Sequence, residues 1–236
     1  MRNDGRRPDE LRAFSLERGF AKFAEGSCLI KMGETHMLVT ATVEDRVPPF
    51  MKNTGKGWLT AEYAMLPRSG RQRNQRDQMK PNGRSMEIQR LIGRAMRTVV
   101  DLESMGERTI TLDCDAIQAD GGTRTAAITA AYVATYDAMR WMIQQRMIKQ
   151  ILLKEPVAAV SVGIVRGNEV LDLNYDEDST AHTDMNVVMT ESGRFVEIQG
   201  TAEQEPFSAE VLGRMLRLAK IGIDELIRAQ RAVLEM

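Results

Sequence analysis

At 236 residues and 26.5 kDa, with 43% hydrophobic residues, the chain is long enough for one large domain or two small ones and for a core that needs no disulfides. A mean hydropathy of −0.32, and no run near the roughly 20 apolar residues a spanning helix requires, exclude an integral helical membrane protein. The net charge of −1, from 32 Lys+Arg against 33 Asp+Glu, offers by itself no argument for a nucleic-acid partner.

The N-terminal run MRNDGRRPDELR has no apolar stretch, so no secretory signal is expected and the chain is assigned to the cytoplasm. Cys28 and Cys114 fit no metal or redox spacing and read as buried, reduced thiols. Residues 27–46 predict two strands joined at Gly33-Glu34, with Met37, Val39, Ala41 and Val43 on one face and Thr40 and Thr42 on the other. A further strand is expected over 57–65. The polar, Arg-rich stretch 67–83, with Gly70, Pro81, Asn82 and Gly83, then reads as a loop.

A helix is predicted from about Ser85, its core face formed by Ile88, Leu91, Ile92, Ala95, Met96, Val99 and Leu102. Residues 109–114 form a short strand, and DGGTR leads into a second helix through Ala126, Ala130, Val133, Ala134 and Met139. Four antiparallel strands follow over 157–165, 170–175, 184–190 and 194–200, with turns at 166–168 and 191–193. Ser208 opens a closing helix with Val211, Met215, Leu218, Gly222, Ile223 and Leu226 on one stripe. Helices alternating with strand pairs predict an α+β fold rather than a doubly wound parallel sheet. No linker marks a boundary, so residues 1–236 are read as a single domain.

Counted locally, the neutrality divides into two poles. Residues 65–97 carry nine basic groups (Arg68, Arg71, Arg73, Arg76, Lys80, Arg84, Arg90, Arg94 and Arg97) against Asp77 and Glu87, a net +7. Residues 169–184 carry six acids (Glu169, Asp172, Asp176, Glu177, Asp178 and Asp184) and no Lys or Arg. Of the 32 basic residues 24 are Arg, whose guanidinium fork matches phosphate oxygens in a way an ammonium does not.

Three features carry chemistry. Asp120-Gly121-Gly122-Thr123-Arg124-Thr125 stands at a predicted helix start, where free N–H groups bind anions and glycines allow close approach. A cation such as Arg124 in the first turn opposes the helix dipole unless an anion sits between them, so a bound phosphate is the functional reading and a tight turn capped by Thr the plain one. The acidic run places Asp176 and Asp178 on one face if the strand persists, with Asp178 and Asp184 converging across the turn. Two such carboxylates suit Mg²⁺, although a solvated acidic hairpin has the same composition. In the basic pole, Arg90, Arg94 and Arg97 share a helix stripe that also reads as a solvated face, with Arg97 and Asp101 spaced for an i,i+4 ion pair. Arg68, Arg71, Arg73 and Arg76 form a clamp for polyphosphate without matching acids, and Arg84 can point into the same site as the glycine turn.

Across nearly the whole chain the sequence resembles ribonuclease PH, a phosphate-dependent 3′ exoribonuclease family related to polynucleotide phosphorylase and exosome ring subunits. The resemblance rests on the runs GKGWLTAEYAMLPRS, GRSMEIQRLIGRAMR, ERTITLDCDAIQADGGTRTAAIT, VAAVSVGIV and TDMNVVMTESGRFVEIQGTAEQEPFS, and on the closing helix. It implies a layered β-α fold with antiparallel or mixed sheets and a C-terminal helix, assembled as a homohexamer, a trimer of dimers. It further implies that Arg84, Gly122, Thr123, Arg124 and Thr125 hold inorganic phosphate, that Asp178 and Asp184 bind Mg²⁺ and act in catalysis, and that Arg68, Arg73 and Arg76 guide RNA or support the ring. Two departures stand out: His182 replaces a typical Glu, and SGRQRNQ replaces a stretch that commonly contains His and Thr.

The reaction so implied is phosphorolysis of an RNA 3′ end, releasing nucleoside 5′-diphosphates, with nucleotide addition in reverse. The family's substrates are tRNA-precursor 3′ ends and other structured RNA. The alternatives are a hydrolytic exonuclease, which needs a larger acid cluster, and a catalytically silent RNA-binding ring subunit, which would not need Asp178, Asp184 or Arg124.

Overall fold

A computed structural model describes residues 2–75 and 83–236. A strand the sequence did not announce, β1 (Phe14–Arg18), pairs antiparallel with β2 (Gly26–Met32), which turns back at Gly33-Glu34 into β3 (Thr35–Glu44). With β4 (Trp58–Met65) and β5 (Thr109–Gln118) these form a five-stranded sheet in the order β1-β2-β3-β5-β4. Only β4 and β5 run parallel, because the helix α1 (Gly83–Val99) carries the chain between them. The expected alternation holds, with Met37, Val39 and Ala41 fully buried on the face that α1 and α2 (Thr123–Gln144) cover. Cys28 and Cys114 lie on that face as free thiols, and burial pushes the Cys28 thiol up to about 12, so neither acts as a thiolate.

Helix α2 is buried on all sides, which its run of Ala and Thr permits, because it lies between two sheets. The second sheet has the order β7-β6-β8-β9 and is antiparallel throughout: β6 (Val157–Val165), β7 (Asn168–Leu171), β8 (Thr183–Thr190) and β9 (Phe195–Ala202). Val157, Ala159 and Val188 join the core around α2, whereas Val160, Val162, Met185, Val187 and Met189 face the C-terminal helix α4 (Ala209–Leu234). Ser208 caps α4 by accepting from the Val211 N–H at 3.3 Å. Its stripe of Met215, Ala219, Ile223, Leu226 and Ile227 is buried against this sheet, each large side chain contributing roughly 1.5–3 kcal/mol. The architecture is α+β in layers, sheet, helix pair, sheet, helix.

Three local expectations are corrected. The strand expected over 170–175 ends at Leu171, and a one-turn helix, α3 (Tyr175–Asp178), follows before β8. The strand expected over 109–114 continues to Gln118. Arg97 and Asp101 do not pair, because α1 ends at Val99. Arg97 Nη1 instead donates to the Leu59 carbonyl at 3.0 Å, with its guanidinium over the Trp58 ring, and Asp101 accepts from Ser104. Among the described residues no helix is long and apolar enough to cross a membrane.

Candidate active site

The glycine-turn half of the candidate site begins where β5 ends. Gly121 and Gly122 take the left-handed φ values 77° and 66°, reversing the chain into α2. At Gly121 a side chain is excluded on a second ground: a Cβ there would lie 2.6 Å from the Leu173 carbonyl oxygen and 2.8 Å from the Asn174 carbonyl carbon. Gly122 is the N-cap and no side chain caps the turn. The first intrahelical bond runs from the Ala126 N–H to the Gly122 carbonyl, which leaves the amides of Thr123, Arg124 and Thr125 without intrahelical acceptors. The two threonine hydroxyls turn inward. Thr125 donates to the Gly122 carbonyl at 2.9 Å, and Thr123 shares a 2.8 Å hydrogen bond with the buried Tyr63 hydroxyl. What this turn offers an anion is therefore its backbone amides.

Arg124 leaves the first turn toward α1 and β9. Its Nη1 donates to Glu87 at 3.1 Å and to the Gln199 side-chain oxygen at 2.8 Å, and Gln199 donates in turn to Glu87 at 2.8 Å. Glu87 is thus a carboxylate partner for the cation at this helix start. Arg84 lies one turn before Glu87 on α1 and is exposed. Burial holds the Tyr63 phenol above its ordinary value, while the Thr123 hydrogen bond and the charges of Arg84 and Arg124 pull it down.

The acidic half does not form the strand face expected of it. Asn174 caps α3 in a reciprocal box, its side chain accepting from the Glu177 N–H at 2.9 Å and its own N–H donating to the Glu177 carboxylate at 3.2 Å. A helical turn points its acids in different directions, so Asp176 and Asp178 do not share a face. Asp176 pairs with Arg71 at 2.7 Å, and Glu177 is buried against Arg2. Asp178 reaches solvent close to Asp184, which stands on β8 opposite Gly163 and Thr201. Partial loss of water and then the Asp184 charge push the Asp178 carboxyl above its usual range, against the opposing pull of Arg84, Arg124 and Arg12. The charges of Asp184, Arg84 and Arg124 thus all act on Asp178.

A hard divalent cation such as Mg²⁺ takes one or two protein carboxylates and keeps several waters, and Asp178 and Asp184 are the carboxylates that could supply them. Among the described residues no group of three or more His, Cys, Asp and Glu side chains forms a closed metal cage. His182 enters none, its backbone being engaged with Ile164 and Glu203.

The basic loop is tied down at Ser69, whose carbonyl accepts from the Ala119 N–H at 2.9 Å, beside the glycine turn. Arg68 and Arg73 are exposed. Arg71, contrary to the reading of a clamp without acids, pairs with Asp176 and lies over the Tyr175 ring at 5.1 Å. Arg76 lies outside the described residues. Tyr63, Gln199 and the buried pair of Arg12 and Asp172 carry no local signal, because their partners are far apart along the chain.

Residues 10–140 match the sequence model of the 3′ exoribonuclease family, domain 1, and residues 155–222 that of domain 2. The chain belongs to this family, that of ribonuclease PH. Solved structures with the same fold include rice (Oryza sativa) Rrp46, with a TM-score of 0.80 at 19% identity over 99% of this chain and 100% of that one. The Archaeoglobus fulgidus exosome with RNA bound to the active site gives a TM-score of 0.78 at 21% identity, over 99% of this chain and 91% of that one. An archaeal exosome core gives 0.75 at 20% identity, over 100% and 91%.

Proposed function

We propose that the protein is a phosphorolytic 3′-to-5′ exoribonuclease that trims the 3′ ends of tRNA precursors and other structured RNA, and that adds nucleotides from diphosphates in reverse. The observation that supports this reading is the uncapped N-terminus of α2, with the charges of Arg84 and Arg124 acting both on Tyr63 beside it and on Asp178. The amides of residues 123–125 with the two guanidiniums hold inorganic phosphate. One phosphate oxygen attacks the terminal phosphodiester in line, a new P–O bond forms, and the bond to the 3′ oxygen of the shortened chain breaks as that oxygen takes up a proton. The product is a nucleoside 5′-diphosphate.

Phosphate is already a competent nucleophile near neutral pH, so positioning and charge neutralisation carry the catalysis. Glu87 and Gln199 hold Arg124 in place, and the Tyr63 hydroxyl fixes Thr123 at the helix start. Asp178 and Asp184 would hold Mg²⁺, which supplies neutralisation of the charge developing on the phosphoryl oxygens. Arg68 and Arg73, exposed on the loop beside the glycine turn, suit the RNA backbone, and Arg76 is assigned to the same role by its place in the sequence. Assembly as a homohexamer, a trimer of dimers in the cytoplasm, completes the proposal.

A water-activating hydrolase with two metals calls for a larger acid cluster than Asp178 and Asp184 provide, since Glu177 is committed to Arg2. The test is degradation of a labelled RNA with Mg²⁺ at increasing phosphate. Rates should rise with phosphate and saturate, and Arg124→Ala should raise the phosphate KM about 10- to 100-fold, the loss of one charged hydrogen-bonding contact. Degradation at an undiminished rate without phosphate would overturn the reading.

A further inference from the structure

The segment before β1 sends three arginines under the site. Arg12 is buried, with 5% of its side chain exposed, and its fork divides between the two halves. On one edge Nε and Nη2 grip the Asp172 carboxylate at 2.9 and 2.7 Å, and the Arg12 backbone N–H adds a third bond at 2.8 Å. On the other, Nη1 donates to the Asp120 carbonyl at 2.6 Å and Nη2 to the Gly121 carbonyl at 3.4 Å, the two residues that lead into the anion-binding turn. Thr35 fastens the same turn, accepting from the Asp120 N–H at 2.9 Å and donating to the Gly121 carbonyl at 2.6 Å.

Asp172 takes a left-handed φ of 55° just past β7, and Asn174, the cap of α3, follows two residues later. Arg2 holds α3 itself. It donates to both oxygens of Glu177 at 2.8 and 2.7 Å, and to the carbonyls of Leu171 at 2.8 Å and Asp172 at 2.9 Å. Arg6 adds a 3.0 Å bond to the Asp172 carbonyl.

We propose that the arm of residues 2–12 sets the separation of the two half-sites, with Arg12 the positioning residue that fixes the glycine turn to the segment carrying Asp178. The two halves come from different sheets, and Arg12 hydrogen-bonds to both. It touches neither RNA nor phosphate and acts through Asp172 and the Asp120 and Gly121 carbonyls. Lysine at this position keeps the charge but not the fork, so it cannot make both sets of bonds at once. In-line displacement tolerates little misplacement, an error of about 1 Å being worth on the order of 100-fold in rate. The kinetic consequence rests on the function proposed above; the mechanical one does not.

The experiment is amide hydrogen exchange with phosphorolysis kinetics on the full chain, comparing wild type with Arg12→Lys and Arg2→Gln. Arg12→Lys should speed exchange about 10-fold or more in residues 121–125 and 174–178 together, with the amides of α4 unchanged. It should lower kcat about 10- to 100-fold and raise the phosphate KM. Arg2→Gln should speed exchange in 174–178 alone and lower kcat at an unchanged phosphate KM. Wild-type exchange in either segment of Arg12→Lys, or an increase spread evenly over the molecule, overturns the proposal. If Arg12→Lys does not fold, Arg2→Gln decides: unchanged exchange in 174–178 overturns it. A wild-type protein that shows no phosphorolysis overturns the proposed function and leaves the exchange result to judge the arm.

Discussion

Asp178 sits where partial desolvation and the charge of Asp184 both oppose ionisation, and its carboxyl is raised for those reasons. The folded protein therefore holds this proton more tightly than the unfolded chain does. Stability from this group is fully present below the unfolded pKa and is lost as pH rises through the raised native value, so at neutral pH the ionised Asp178 is a net liability. Asp178→Asn should raise the Tm of the metal-free protein at neutral pH and remove most of the further rise that Mg²⁺ gives the wild type, both measured by thermal denaturation. A wild-type Tm indifferent to Mg²⁺ contradicts the assignment of this pair. Arg84, Arg124, Asp178 and Asp184 stood out in the sequence because each stands in a short run whose composition is informative by itself. Tyr63 did not, since a tyrosine alternating into a strand looks like core until its hydroxyl is seen on Thr123. Nor did Arg12, because its partner Asp172 is 160 residues away and nothing in local spacing joins them.

At the scale of elements, the glycine turn and α3 are built against each other. A methyl group at Gly121 would meet the backbone of Leu173, Asn174 and Tyr175, none of which can move as a side chain would, and the φ of 77° is itself strained for alanine. Gly121→Ala should cost about 1–3 kcal/mol, lowering Tm by roughly 2–10 °C, and should weaken phosphate use along with stability. A variant with wild-type Tm and wild-type phosphate KM would show that the turn and α3 are not in contact. Strong periodicity made α1 and α4 readable and alternation made β3 so, whereas α2, β2 and β6 were readable as apolar runs bounded by turn residues. Failure came where tertiary contacts overrode local pattern. β1 is only five residues long and follows a polar arm, so its alternation carried little weight. The stretch after β7 kept an apolar alternation through Leu173, but Asp172 is drawn out of the strand by Arg12 and Asn174 closes the capping box with Glu177. That change also sorted the acids. Glu177 went to Arg2, Asp176 to Arg71, and Asp178 was left to face Asp184.

For the whole molecule, a net charge of −1 conceals the arrangement that matters. Part of the opposed charge is spent within the fold, in the arm's grip on Asp172 and Glu177 and in the tie between Arg71 and Asp176. Arg84 and Arg124 stand on α1 and α2, and Asp178 and Asp184 on α3 and β8. On the function proposed above, phosphate is the reacting partner rather than a bystander anion. The direct measurement is to supply orthophosphate labelled with ³²P, together with unlabelled RNA and Mg²⁺, and to follow the label. The label should enter the β-phosphate of the released nucleoside 5′-diphosphates. Label that stays in orthophosphate while nucleoside monophosphates accumulate would contradict it.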